Sequence, residues 1–161
     1  MKGFTKNPDR VGTEGKGPSF FIAGIIQGSL PANKIHPQAY RQEIKACLKA
    51  KYPQGVIIDP LETHPDSVNY GPAKGKRTFF EHIELASRVD VLVCYLPEAS
   101  MGTALEMYEA RKKGGVVVSI TPLSSNWAIR YLSDRVLADI GAFVRFVNRG
   151  GITRLLKRKN I

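Results

Sequence analysis

Apolar residues along this chain fall into two patterns that alternate: short unbroken runs, and residues spaced three and four apart. "SFFIAGII" (19–26), "GVIIDP" (55–60), "VDVLVCYL" (89–96) and "VVVSI" (116–120) are unbroken or nearly so, as expected for strands buried on both faces of a parallel sheet. "AFVRFV" (142–147) has the same look and is expected to be a fifth strand. Between them the period changes. Tyr40, Ile44, Cys47 and Leu48 fall on one face of a helix over 37–51, with Pro37 suited to its first turn. Further helices are expected over 78–87 and over 101–113, the latter stopped by Gly114 and Gly115, and a short last helix lies in "GGITRLLKRKN". The polar stretch 61–77, "LETHPDSVNYGPAKGKR", reads as a long loop, and loops of that length are usually functional or mobile. Strands alternating with helices imply a parallel sheet covered on both sides.

Such sheets bind ligands beyond the C-terminal ends of their strands, where the following helix offers unpaired N–H groups. Three turns meet that description: "AGIIQGS", "PEASMGTALE" and "TPLSSNW". The second carries Glu106, about a turn and a half into its helix. On macrodipole grounds this carboxylate is expected to be ionised at neutral pH. Its i+4 neighbour is Ala110 and its i+3 neighbour is Glu109, so no helical ion pair accounts for it, whereas Glu109 has Lys113 at i+4. Gly102 and Thr103 are small enough to let a ligand approach the backbone.

Composition bounds the rest. A chain of 161 residues suits one domain, here 19–161, preceded by a Gly- and Pro-containing arm over 1–18 without apolar periodicity. No apolar run is long enough for a membrane helix, and the N-terminus has no signal-like apolar segment. Cys47 and Cys94 form neither a disulfide framework nor a metal spacing, and read as buried reduced thiols of a cytoplasmic protein. No His/Cys/Asp cluster suggests a metal, and no cofactor is expected. The net charge of +10 raises nucleic-acid binding. However, much of it sits in Lys2, Lys6, Arg10 and Lys16 and in Arg149, Arg154, Lys157, Arg158 and Lys159, so solvated ends are the simpler reading and a nucleic-acid partner is not expected.

"VDVLVCYLPEASMGTALEMYEA" resembles the signature of the nucleoside 2-deoxyribosyltransferase family, which includes nucleoside 5′-monophosphate N-glycosidases. The likeness is sharp over 89–118, weaker at "FFIAGII" and "SSNW", and absent from the ends. It implies a flavodoxin-like, Rossmann-like three-layer α/β sandwich with a five-stranded parallel sheet, a nucleoside or nucleotide substrate, no metal or organic cofactor, and a homo-oligomer with shared sites. It also implies that Glu106 is the nucleophile at the anomeric carbon. An ionised carboxylate can trap the positive charge that develops on the sugar, after which another base gives transfer and water gives hydrolysis.

The same resemblance sets the remaining residues. The family's usual acid, eight residues before Asp90, is replaced by His82, with Glu81 the neighbouring candidate; Asp90 itself reads as structural. Ser100 stands where the hydrolases have Ser for a 5′-phosphate and the transferases have Asp, although Ser is also an ordinary helix cap. Gln27 replaces an Arg of the phosphate hydrolases. Gly24, Gln27, Gly28, Ser29, Ser100 and Gly102 would cradle the sugar or phosphate, and Lys34 could reach in. Asn126 matches a residue supplied by a neighbouring subunit, or is a plain cap, and Trp127 would stack on a base or anchor an interface. Two alternatives stand beside this reading. "GTALE" also fits cytokinin-activating phosphoribohydrolases, though their Pro-Gly-Gly is missing, and a non-catalytic nucleotide sensor could use the same fold.

Overall fold

The computed structural model describes residues 9–11 and 17–161, so most of the expected N-terminal arm lies outside the described residues. Its described part is docked: Val11 N–H donates to the Arg88 carbonyl at 2.9 Å, and the Arg10 guanidinium meets Asp90 at 2.6 Å.

Five parallel strands, β1 (Ser19–Gly24), β2 (Val56–Ile58), β3 (Val91–Tyr95), β4 (Val116–Ile120) and β5 (Arg135–Leu137), form one sheet in the order β2-β1-β3-β4-β5. This is the flavodoxin-like order. The connecting helices are α1 (Tyr40–Lys51), α2 (Pro60–Thr63), α3 (Pro72–Arg88), α4 (Met101–Lys112), α5 (Trp127–Leu132), α6 (Ile140–Asn148) and α7 (Gly151–Arg158). Alternation along each strand divides the core between the two faces. Phe20, Val91 and Val93 pack with Ile44, Leu48, Phe143 and Val147 under α1 and α6, while Phe21, Leu92 and Cys94 pack with Ala86, Met107 and Ala110 under α3 and α4. Phe20 and Phe21 are fully buried on opposite faces, each worth about 2–3 kcal/mol of burial. Cys94 is buried as expected, but Cys47 is only half-buried; both are free thiols.

The structure also departs from the sequence reading in its elements: the helix expected over 37–51 starts at Tyr40, leaving Pro37 outside it. "AFVRFV" is helical and belongs to α6: the Asp139 carboxylate accepts from Ala142 N–H at 2.7 Å as the cap, and Phe143 and Val147 bury one face four residues apart. The fifth strand is the short "RVL" before it, an edge strand too brief to show a pattern. The expected loop over 61–77 is largely ordered as α2, a 3-10 turn at Ser67–Asn69 and the first turn of α3. Pro60 and Pro72 occupy first-turn helix positions, and the Asp59 carboxylate caps α2 by accepting from Leu61 N–H at 3.1 Å. Among the described residues no helix is long and apolar enough to cross a membrane.

Candidate active site

β1 and β3 are neighbours whose following connections leave in opposite directions along the sheet, so a crevice opens between their C-terminal ends. A cleft of about 250 Å³ occupies it, walled by Gly24 at the end of β1 and Ile26, Gln27 and Gly28 after it, by Phe79 and His82 of α3, and by Ser100 to Thr103 and Glu106 at the start of α4. Residues far apart in sequence thus meet around one carboxyl group.

Glu106 reaches the cleft because α4 starts at Ser100. The Ser100 hydroxyl oxygen accepts from Thr103 N–H at 3.4 Å and from the Thr103 hydroxyl at 3.1 Å, fixing the rotation of the helix; Met107 and Ala110 then face the core and Glu106 the crevice. Glu109 pairs with Lys112 at 3.2 Å, one residue short of the expected Lys113, and Glu106 has no hydrogen bond among the described residues. Burial raises the Glu106 carboxyl to about 8, against a smaller lowering by the Arg41 guanidinium. The expectation of an ionised Glu106 at neutral pH is therefore overturned. The macrodipole field fades beyond the first turn, whereas the protein around the carboxyl strips away water.

Arg41 is the residue the sequence reading missed. It is 3% exposed and held by Asp59 at 2.9 Å, by the Ile22 carbonyl at 2.8 Å and by the Gln38 side-chain oxygen at 2.8 Å. Beside it, Tyr40 stacks on Tyr95 with ring centroids 4.2 Å apart, and burial pushes its phenol to about 12. A signal did exist: Arg41 lies three residues before Ile44 and seven before Leu48, on the buried stripe of α1, where an unpaired cation would be costly. Phe79 also went unassigned and walls the cleft, beside Thr103, which was read as leaving room for a ligand.

His82, not Glu81, lines the cleft together with Glu106. The His82 Nε2 is buried without a partner, and the ring lies 5.2 Å from His64 and 6.4 Å from Phe21. Burial, then the nearby His64, lowers its pKa below the ordinary value, with Glu81 opposing, so at neutral pH the imidazole is uncharged rather than poised as the expected imidazolium acid. Glu81 is half exposed and directed at Arg77, 3.8 Å away.

Of the cradle residues, Gln27 and Gly28 line the cleft, and Gln27 Nε2 donates to the Ala32 carbonyl at 2.9 Å. Gly28 has φ of 55°, a conformation that side chains other than glycine's rarely adopt. Gly24 also touches the cleft, but a Cβ there would run into the Tyr40 hydroxyl and the Tyr95 carbonyl, so its glycine serves packing beneath the floor. At Gly102 the nearest atom to an added Cβ would be Phe79 Cε2 at 3.9 Å: the space a side chain would take is open cleft. Ser29 and Lys34 are exposed outside the lining, and no Lys or Arg is among the described residues that line it. Asn126 caps α5, its side-chain oxygen accepting from Ala128 N–H at 3.0 Å, and borders a neighbouring depression with Met101 rather than the Glu106 cleft. Trp127 is 76% exposed. Asp90 lies at the opposite end of the sheet, holding Ser19 N–H at 2.8 Å and Arg10.

No family profile matches this chain, and no curated protein matches it by sequence. Solved structures do match it in fold. The 2-deoxyribosyltransferase of Bacillus psychrosaccharolyticus superposes with a TM-score of 0.55 at 13% identity, covering 78% of this chain and 90% of its own. That of Leishmania mexicana gives 0.52 at 20% identity, covering 81% and 97%. The chain has the fold of the 2-deoxyribosyltransferases. A conserved protein from Enterococcus faecalis V583 shares it, with a TM-score of 0.58 at 18% identity over 83% of this chain and 98% of that one. At such identities a deoxyribosyltransferase fold is established and residue roles are not.

Proposed function

We propose that this protein cleaves the N-glycosidic bond of a nucleoside or nucleoside 5′-monophosphate with Glu106 as nucleophile. The observation that carries the reading is one unpaired carboxyl on the wall of the crevice between β1 and β3, beside an open glycine and an imidazole whose Nε2 is buried without a partner. Ionised Glu106 attacks the anomeric carbon; the carbon–nitrogen bond breaks, its electron pair leaves on the base, and a glycosyl ester forms. Water or the nitrogen of a second base then attacks the same carbon, losing its proton to solvent and returning the electron pair of the ester bond to the carboxylate. Neutral His82 donates a ring N–H hydrogen bond to the departing base, which takes its proton from water. Ser100 and the first turn of α4 hold the sugar's 5′ side, and Gly102 leaves room for the ring.

Exposed apolar side chains, Met101 at 87% on the cleft lining and Trp127 at 76% beside Asn126, favour a homo-oligomer in which Asn126 of one copy completes the cleft of another. The test is incubation with panels of nucleosides and 5′-monophosphates, with and without an acceptor base, following free base by chromatography. Turnover of monophosphates alone identifies a hydrolase, and exchange on unphosphorylated deoxynucleosides a transferase. Tight binding without base release would replace this reading with a nucleotide sensor.

A further inference from the structure

A second cleft, of about 590 Å³, lies against the β5 edge of the sheet and shares no lining residue with the Glu106 cleft. Five arginines face it: Arg135 from β5, Arg145 and Arg149 from the end of α6, and Arg154 and Arg158 from α7. The two helical pairs are each four residues apart, so each lies along one face of its helix. The sequence assigned Arg149, Arg154 and Arg158 to a solvated end. They are exposed as that reading expects, and because Ile152 and Leu156 bury α7 against the core they also line the wall of a concavity.

Among the described residues none of the five forms a salt bridge. The acid at the cleft, Asp134, is already engaged by Arg111 at 2.9 Å, Lys159 at 2.8 Å and Val117 N–H at 2.9 Å. Arg135 lies over the Phe146 ring at 5.6 Å, and Arg154 is fixed by the Arg149 carbonyl at 2.6 Å, so part of the array is pre-ordered. Like charges gathered in a concave site repel one another unless an anion enters. Guanidinium groups bind phosphate oxygens in pairs. One phosphate engages one or two arginines; five suit several phosphates in succession.

We infer that the β5-edge cleft binds a ligand with closely spaced phosphates, either a nucleic-acid strand or a small polyphosphate. The full chain is titrated with a labelled single-stranded oligonucleotide by anisotropy, and with inorganic tripolyphosphate by calorimetry, at about 50 and 200 mM salt. The decisive variant is Arg145→Gln/Arg149→Gln/Arg158→Gln, since none of these side chains makes a hydrogen bond among the described residues and their removal orphans no group. A control of equal charge, Lys74→Gln/Lys76→Gln/Lys113→Gln, lies outside the cleft. The expected result is tenfold or greater loss of affinity in the arginine variant only, with the oligonucleotide salt slope falling by about 2, roughly 0.7 per lost contact. Binding of the oligonucleotide alone makes the ligand a strand, and binding of tripolyphosphate a small polyphosphate. No binding of either, or equal losses in both variants, overturns the inference.

Discussion

The pH dependence of turnover follows directly from where Glu106 sits. Its carboxyl, at about 8, is ionised in only about one molecule in ten at pH 7 and one in a hundred at pH 6. If the ionised carboxylate attacks while His82 stays neutral, kcat/KM, which reports the free enzyme, rises about tenfold per pH unit below 8 and levels off above it. The assay is initial-rate release of free base from the best substrate of the panel, from pH 5.5 to 9.5, at constant ionic strength. Two other shapes are informative. A maximum between the two pKa values with a fall above 8 would mean that a single proton shared by Glu106 and His82 is delivered to the base, refuting the neutral role of His82. A profile already level at pH 6 would refute the raised carboxyl itself.

The same burial gives a stability prediction. The folded carboxyl holds its proton more tightly than the unfolded one, so stability is fully present below the ordinary value of 4.5 and is lost as pH rises through about 8. Glu106→Gln removes that loss: thermal unfolding at pH 8.5 should show the variant more stable than the native chain by up to a few kcal/mol, with little difference at pH 4.5. Gly102→Ala should fold at least as well, gaining up to about 1 kcal/mol of helix propensity, yet raise KM or abolish turnover by filling the cleft; unchanged kinetics would remove Gly102 from the site. Arg41→Met strands Asp59 in the core, costing about 3–5 kcal/mol in denaturant unfolding, and in any protein that folds the pH midpoint of turnover moves upward because the cation that lowers the Glu106 pKa is gone.

Strand runs that are buried on both sides were legible as short, unbroken apolar stretches: "VVVSI" is a strand over all five residues, and "VDVLVCYL" contains one. The same criterion failed at "AFVRFV", where a helix burying Phe143 and Val147 also presents apolar residues on its flanks, and the deciding element was the Asp139 cap. Glu106 could be singled out because its own helix offers it no partner. Its protonation could not, since desolvation depends on β1, α1 and α3 closing around it, contacts made by residues remote in sequence. Arg41 shows the converse: its place on an apolar stripe was readable, and the carbonyl and carboxylate that hold it were not. Basic residues near the C-terminus illustrate a third case, because a count of charges cannot distinguish a frayed end from a helix folded into a cleft wall.

The most direct test of Glu106 compares the native chain with Glu106→Gln at pH 8.5, where the native carboxyl is largely ionised, by measuring base release from the nucleoside and 5′-monophosphate panels. The account predicts turnover by the native chain and its loss in the variant, which remains folded and still binds substrate. Base release by the variant at the native rate would contradict it.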